Sequence, residues 1–306
     1  MDPFSYYPSD EELEDWIDRI WQTAVNNPVK VSVFPVRNER ATFFPHQMHR
    51  TVFYQFEQDG MEPFCGIFTP CSNGPRPLVV HTPGYGAGGS FHPEIIGENY
   101  NVLELSPLGY WTPNGDRREL AWEGTTEWPV LPNTAMDHNS LSGYYGWLVN
   151  AVAAIRWAME QPSVEPNRVS FFGTSQGGGG SLLLGSIFRD RGTRCVCAEE
   201  PFLTDFPLAN WRGAYGVAHF GFKKVSPEVG WHNLGFVDTL RHAERMTYPV
   251  MLTVGTADGT CPPETIACLF EKLNAADKMF LSMKDQGHGY HLEFIRHVLT
   301  WLSLYA

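Results

Sequence analysis

The stretch RVSFFGTSQGGGGSLLLGSIF, residues 168–188, predicts a buried strand, a glycine-rich turn and a helix in immediate succession. Its centre matches the G-x-S-x-G pattern of a nucleophile elbow, in which small residues on both sides permit a tight turn. Such a turn holds the serine hydroxyl at the carboxyl end of a sheet, so Ser175 is the candidate nucleophile. Two alternatives stay open. The turn could only cap a helix, or it could be a phosphate loop, although it lacks that loop's Lys-Ser/Thr ending.

Short apolar runs alternate with helical patterns on both sides of this stretch. The runs are LVVHT at 78–82, NVLEL at 101–105, RVSFFG at 168–173, RCVCAE at 194–199, PVMLTVG at 249–255 and KMFLSM at 278–283. Helical patterns cover 142–161, 176–188 and 263–274, and a last helix ends near Tyr305. Strands separated by helices form a doubly wound, mostly parallel sheet with helices on both faces. The predicted fold class is therefore α/β.

The remaining segments flank this alternation. Ser9 and Glu12 form a capping-box pattern before an amphipathic helix, and short alternating segments between 29 and 69 predict antiparallel strands or hairpins. Residues 201–247 break the alternation and predict a small helical excursion near the site. We expect one domain over 1–306, with the N-terminal helix and hairpins at 9–70, the catalytic core at 77–200 and 248–306, and the excursion at 201–247.

Composition limits the classes of partner. The chain has 306 residues, a formal net charge of −12 and 14% aromatic residues. An acidic surface repels phosphate backbones, so we expect no nucleic-acid partner. The N-terminus shows no secretory signal, and no run of 18 apolar residues occurs, so we expect no membrane partner. Six cysteines without a CxxC pair predict reduced thiols in a cytoplasmic protein.

A serine hydroxyl needs a base, and the base needs an orienting carboxylate. In this topology the chain order is serine, acid, histidine, each in a loop after a strand. Asp258 follows the strand pattern PVMLTVG, and His288 follows KMFLSM. We therefore predict a triad of Ser175, Asp258 and His288. His291, three residues later, is the rival histidine, although its position predicts that it begins the last helix and faces elsewhere.

An acyl-transfer site also needs hydrogen-bond donors for the oxyanion. The backbone N–H of Gln176, directly after the nucleophile, is one candidate. The loop LVVHTPGYGAGG after an early strand supplies a second, and we predict the backbone N–H of Tyr85, flanked by Gly84 and Gly86. The alternative for this loop is an ordinary surface turn.

These features together identify a family. The chain resembles the acetyl xylan esterase and cephalosporin C deacetylase group of α/β-hydrolases, carbohydrate esterase family 7. The matching segments are DW at 15–16, GYG at 84–86, YYGWLVNAVAAIRWA at 144–158, SQGG at 175–178, EPFLTDF at 200–206, DGTCPPET at 258–265 and GH at 287–288. The resemblance implies an α/β-hydrolase fold and a serine esterase. It assigns Ser175 as nucleophile, His288 as base, Asp258 as acid, and the amides of Tyr85 and Gln176 as oxyanion hole. It also implies a homo-oligomer built from dimers.

One motif of that family is absent. Its members typically carry Arg-Gly-Gln-Gly after the second sheet strand, where this chain has SPLG at 106–109. The change removes an arginine whose planar fork would tie loops near the site. The segment that follows is rich in aromatic residues, and we predict that Trp111 and Trp122 contact substrate, with Glu200 as a further substrate contact. The alternatives are that the aromatic side chains pack the loop or a subunit interface, and that Glu199 and Glu200 form a loop pair.

The primary hypothesis is a serine esterase acting on small acetylated substrates, such as xylo-oligosaccharides, without any metal or organic cofactor. An HxxH pair, His46 and His49, has no carboxylate pattern beside it, so no metal site is expected there. A lactone or aryl-ester hydrolase, or a serine peptidase, remains an alternative on the same fold. A catalytically silent binding protein is the alternative from another class.

Overall fold

The structure, a computed structural model, describes residues 2–34, 52–85, 99–108 and 130–306. In this part of the chain, nine strands form one sheet and nine α-helices accompany it. The strands are β1 (Lys30–Val33), β2 (Val52–Glu57), β3 (Phe64–Thr69), β4 (Arg76–Thr82), β5 (Asn101–Ser106), β6 (Val164–Thr174), β7 (Thr193–Glu199), β8 (Val250–Gly255) and β9 (Lys278–Met283). The helices are α1 (Asp10–Asn26), α2 (Val130–Met136), α3 (Tyr144–Met159), α4 (Gln176–Ile187), α5 (Phe206–Ala209), α6 (Ala218–Phe222), α7 (Pro227–Gly235), α8 (Pro263–Lys272) and α9 (Leu292–Tyr305).

The strand order is β1-β2-β3-β5-β4-β6-β7-β8-β9. The six strands from β4 to β9 pair in parallel, whereas β1, β2 and β3 pair antiparallel and attach to β5. The prediction of a doubly wound, mostly parallel sheet is confirmed. Sequence pattern did not show that β5 lies between β3 and β4.

The position of β4 defines the place where a site can form. Its successor β5 pairs on one side and β6 pairs on the other, so the direction of winding reverses there. In an open α/β sheet, the loops that leave the strands on either side of such a reversal diverge and leave a crevice at their carboxyl ends. The crevice therefore lies between the loop after β4 and the turn after β6.

Helix α1 follows the predicted capping box. The Ser9 hydroxyl accepts the backbone N–H of Glu12 at 3.2 Å, and the Glu12 carboxylate accepts the N–H of Ser9 at 2.8 Å. One face of the helix is buried and packs against α3. The buried residues are Leu13, Trp16, Ile17, Ile20 and Ala24. This buried face covers the outer side of α3, and α3 in turn packs beside α4.

Helix α4 is buried along its entire length, and it carries no charged side chain. Its glycines permit close packing: a Cβ added at Gly180 would lie 2.5 Å from the Trp147 ring of α3. This close approach fixes α4, and hence the turn that precedes it, against the sheet. Among the described residues, no helix combines the length and apolar character needed to cross a bilayer.

The segment between β7 and β8 contains α5, α6, α7 and short 3-10 turns. The carboxylate of Asp238 connects several parts of this segment. It accepts hydrogen bonds from the backbone N–H groups of Asp205, Phe206 and Leu240 and from the hydroxyl of Tyr7. Burial raises the pKa of Asp238 to about 6, although these hydrogen bonds lower it. The segment is therefore tied to the N-terminus as well as to the sheet.

The aromatic residues of this segment pack on one another. Trp211 contacts Phe222 and Trp231, with ring centroids 4.8 and 5.0 Å apart. Tyr215 is buried, and its hydroxyl donates to the carbonyl of Thr204 at 3.0 Å. These contacts show that the aromatic side chains of this segment pack within the fold. All six cysteines lie in the described part of the chain, and none forms a disulfide.

Candidate active site

Ser175 lies between the last residue of β6 and the first residue of α4. Its backbone φ of 58° is in the left-handed region, which a residue with a side chain adopts only when its surroundings enforce it. Its N–H donates to the carbonyl of Glu199 at 2.9 Å, and its carbonyl accepts N–H groups from Gly179 and Phe202. The end of β7 and the start of α4 therefore hold the turn in place.

The small residues around Ser175 are required by close backbone contacts. A Cβ added at Gly173 would lie 2.4 Å from the carbonyl oxygen of Thr82, and one added at Gly177 would lie 1.8 Å from the same atom. Both glycines face the end of β4. The G-x-S-x-G pattern therefore permits the elbow to lie directly against the loop after β4.

Asp258 and His288 form a hydrogen-bonded pair beyond the ends of β8 and β9. The Asp258 Oδ2 lies 2.8 Å from His288 Nδ1, and Asp258 Oδ1 accepts the backbone N–H groups of Thr260 and Cys261 at 2.7 and 2.9 Å. Asp258 is buried, whereas the side chain of His288 is 22% exposed. Because a carboxylate only accepts, Nδ1 of His288 carries the proton in this pair, and Nε2 is free to accept another.

Cys261 connects this pair to the elbow. Burial, together with the charges of Asp258 and Glu200, raises the pKa of its thiol well above that of an ordinary thiol, although the nearby Ser175 side chain lowers it. Ligand atoms of Asp258, Cys261 and His288 lie within 4.8 Å of one another. In this cluster Asp258 and His288 are hydrogen bonded to each other.

The loop after β4 lies beside the elbow. A Cβ added at Gly84 would lie 3.8 Å from the Cβ of Ser175, so this backbone passes directly next to the nucleophile candidate. Tyr85 is the next residue along it. On the other side, Gln176 begins α4, and its side-chain amide donates to the buried hydroxyl of Tyr144 at 2.9 Å. Both predicted oxyanion donors therefore lie in segments at the crevice.

Sequence reasoning missed Tyr290 in this region. Its hydroxyl accepts the N–H of Gly84 at 3.3 Å, which places it at the same loop as Tyr85. More than half of its surface is exposed, although burial around the hydroxyl raises its pKa. The only local signal was an aromatic residue two positions after His288, in the run GHGYH.

The structure places Glu199, Glu200 and His291 beneath the site. Glu199 accepts the Thr174 hydroxyl at 2.5 Å and both the backbone N–H and Nδ1 of His291 at 2.9 and 3.0 Å. Burial raises the pKa of Glu199 to about 7, although these hydrogen bonds lower it. His291 precedes the first turn of α9, as predicted, and contacts this carboxylate instead of Asp258.

Glu200 differs from its prediction as a substrate contact. Its side chain is 0% exposed, and its Oε2 accepts the N–H of Gly289 at 2.8 Å and lies 3.3 Å from His288 Nδ1. The left-handed backbone at Glu200, with φ 44°, turns this side chain under the loop that carries His288. Its contacts are therefore with the loop that carries His288.

Trp111 and Trp122, the other two predicted substrate contacts, lie outside the described residues. The same holds for Gly86 and for the HxxH pair at His46 and His49.

Comparisons with known proteins agree with this architecture. The family model described as acetyl xylan esterase matches residues 1–305. An acetyl esterase from Xylanibacter ruminicola is 31% identical over 137 residues, a match that covers 44% of this chain and 30% of that protein's length.

Two solved structures with 18% sequence identity share the fold. An acetyl xylan esterase from a Thermoanaerobacterium species superposes with a TM-score of 0.76 over 98% of this chain and 95% of its own. One from a Paenibacillus species gives the same TM-score over 100% of this chain and 99% of its own.

Proposed function

Because the chain belongs to the acetyl xylan esterase family, a family of carboxylic ester hydrolases, we propose that it hydrolyses short-chain acetyl esters through a Ser-His-Asp mechanism. Two observations support this proposal: the strained strand-to-helix turn at Ser175, directly after β6, and the Asp258–His288 hydrogen bond beyond the ends of β8 and β9, which are strands of the same parallel part of the sheet. Nucleophile, base and orienting acid are the three parts that acyl transfer by a serine requires.

The reaction would run in two halves. In the first, His288 Nε2 takes the Ser175 proton while Oγ attacks the acetyl carbonyl carbon, and the N–H groups of Gln176 and Tyr85 hold the oxyanion. The imidazolium then protonates the departing alkoxide, which leaves an acetyl-serine. In the second half, His288 takes a proton from water, hydroxide attacks the acetyl carbonyl, and Ser175 recovers its proton as acetate departs.

Acetylated xylo-oligosaccharides are the substrates we propose. The support is the match of the family model to residues 1–305, and the names of the two solved acetyl xylan esterases. The chain lacks the family's Arg-Gly-Gln-Gly and carries SPLG at 106–109, so the substrate needs a direct test.

The deciding experiment measures product release from a matched panel. It contains acetylated xylo-oligosaccharides, an aryl acetate, an aryl butyrate, a feruloyl ester and an aminoacyl anilide, each with the wild type and Ser175→Ala. We expect acetate from the sugars with the wild type and none with the variant. Activity confined to the other esters or the anilide would discard the sugar substrate, and no activity on any compound would favour a binding protein.

The activity should also have an alkaline pH dependence. Burial by itself lowers the pKa of His288, but hydrogen bonds and charges from Asp258 and Glu200 outweigh it and raise that pKa to about 9. A base must be neutral to accept a proton, so kcat/KM should rise with pH until the imidazole loses its charge near pH 9.

This pH dependence is checked by measuring kcat/KM for an aryl acetate from mildly acidic to alkaline pH, with Ser175→Ala run in parallel to subtract spontaneous hydrolysis. A plateau already reached just above an ordinary histidine pKa of about 6.5 would contradict the expectation.

A further inference from the structure

We propose that Glu200 is a second positioning carboxylate for His288, which shares with Asp258 the orientation of the imidazole and the compensation of its positive charge. The inference rests on the proposed function of the site.

Two carboxylate oxygens lie near the single proton on His288 Nδ1. Asp258 Oδ2 lies 2.8 Å and Glu200 Oε2 lies 3.3 Å from the same atom, His288 Nδ1. They reach it from different strands, since Asp258 follows β8 and Glu200 follows β7. The N–H of Gly289, next to the histidine, donates to the same Oε2 at 2.8 Å. Glu200 therefore contacts both the ring and the backbone that carries it.

Among the described residues, Glu200 has ion-pair contacts only with His288 and His291. Its Oε1 has no hydrogen-bond partner among the described residues and lies 3.8 Å from His291 Nδ1. His291 instead hydrogen bonds to Glu199. A buried charge without a partner is costly, and the cost is offset only by a nearby opposite charge or donor. The group that best meets this need is His288 in its protonated form.

The fold makes room for this carboxylate. A Cβ added at Gly255 would lie 2.5 Å from Glu200 Oε1, so a glycine is needed where β8 ends. The neighbouring Glu199 hydrogen bonds to Thr174 and His291, and within the described part of the chain it forms no hydrogen bond or ion pair with His288. Two adjacent carboxylates thus serve two different histidines, which makes Glu199 a matched control.

The charges around His288 explain why a second carboxylate affects its proton. The titratable groups that face it or its two carboxylates come from three places. They are Asp258 and Cys261 after β8, Glu199 and Glu200 at the end of β7, and Tyr290 and His291 before α9. Two of these carboxylates contact the ring directly and favour the imidazolium. The same charge that retains the proton on the free enzyme stabilises the imidazolium during acyl transfer.

The first test is an NMR titration of the His288 ring in a Ser175→Ala background, which needs no turnover. Glu200→Gln keeps an oxygen for the Gly289 N–H and removes the charge. We expect the titration midpoint of His288 to move to lower pH by about 1 to 3 pH units. Glu200→Asp should retain most of the wild-type midpoint. An unchanged midpoint in Glu200→Gln overturns the inference.

The second test uses activity and leaves Glu200 in place. Where one acid orients the histidine, replacing it by its amide lowers kcat by about 10⁴-fold. We expect Asp258→Asn to lose clearly less than that, and Asp258→Asn with Glu200→Gln to reach the full loss. Adding Glu199→Gln to Asp258→Asn should not deepen the loss. A full loss in Asp258→Asn alone overturns the inference, even if Glu200→Gln does not fold.

These readouts separate the two proposals. Activity that survives Ser175→Ala would remove the proposed function, while the NMR midpoint would still report on Glu200. Conversely, an unchanged midpoint with a Ser175-dependent esterase would retain the function and remove only the second carboxylate. Circular dichroism and a thermal melt of each variant check that it folds.

Discussion

Replacing Ser175 by alanine should abolish acetyl ester hydrolysis, with kcat falling by about 10⁴-fold or more. The size of this loss follows from the mechanism. The acetyl group is transferred to Ser175 Oγ, and in the proposed mechanism neither Asp258 nor His288 acts as the nucleophile. The members of a triad act as a unit, so removing one leaves only the contributions of binding and of the oxyanion donors. The measurement is acetate release under conditions where the wild type is at its alkaline plateau.

A matched control comes from helix α4, which begins directly after Ser175. Ser181 is buried, lies six positions after Ser175 and is hydrogen bonded to the Thr82 hydroxyl at 2.8 Å. Ser181→Ala should cost about 1 kcal/mol of stability and retain hydrolysis. A fluorophosphonate probe should label the wild type and Ser181→Ala at residue 175 and leave Ser175→Ala unlabelled. Equal acetate release from all three proteins would show that Ser175 is not the nucleophile.

The second large effect concerns the backbone beside the elbow. Gly177→Ala should destabilise the protein by about 3 kcal/mol or more. The added Cβ would lie 1.8 Å from the carbonyl oxygen of Thr82 and 2.7 Å from that of Pro83. Both atoms are main chain, so no side-chain rotation relieves the clash. Either α4 or the loop after β4 must move, and the second displaces Tyr85 from Ser175.

The free energy of unfolding in urea measures this effect, with hydrolysis of an aryl acetate recorded alongside. Gly259→Ala is the control, because a Cβ there would meet nothing within 4 Å. Because Gly259 is next to Asp258, the stability of Gly259→Ala serves as the control, and its activity does not. If Gly177→Ala unfolds at the same urea concentration as the wild type, the close contact between elbow and β4 does not exist in solution.

Local sequence patterns correctly predicted the structural features that depend on a single segment. The capping box at Ser9 and Glu12 and the turn around Ser175 agree with the structure, and so do the strands of the parallel region. Each of these depends on residues within a few positions of one another, such as small residues beside a turn or apolar residues in a buried strand. The family resemblance added the order of these segments along the chain.

Local pattern was insufficient where residues distant in sequence meet. Glu200 was predicted to face a substrate, because it ends a strand near the site. Its left-handed backbone instead turns it under His288, 88 positions further along the chain. Tyr290 was not predicted at all, since its role at Gly84 depends on a contact between two loops. No pattern within either loop encodes the distance between them.

The sequence by itself determined the elbow, the α/β class and the order of candidate nucleophile, acid and histidine. The sequence favoured His288 over His291 as the partner of Asp258, but only the tertiary structure shows the contact, because the two histidines follow the same strand three residues apart. The pairing follows from distance: Asp258 contacts His288 at 2.8 Å, while Glu199 hydrogen bonds to His291. Periodicity and spacing assign residues to elements, but hydrogen bonds between elements depend on how the sheet brings their ends together.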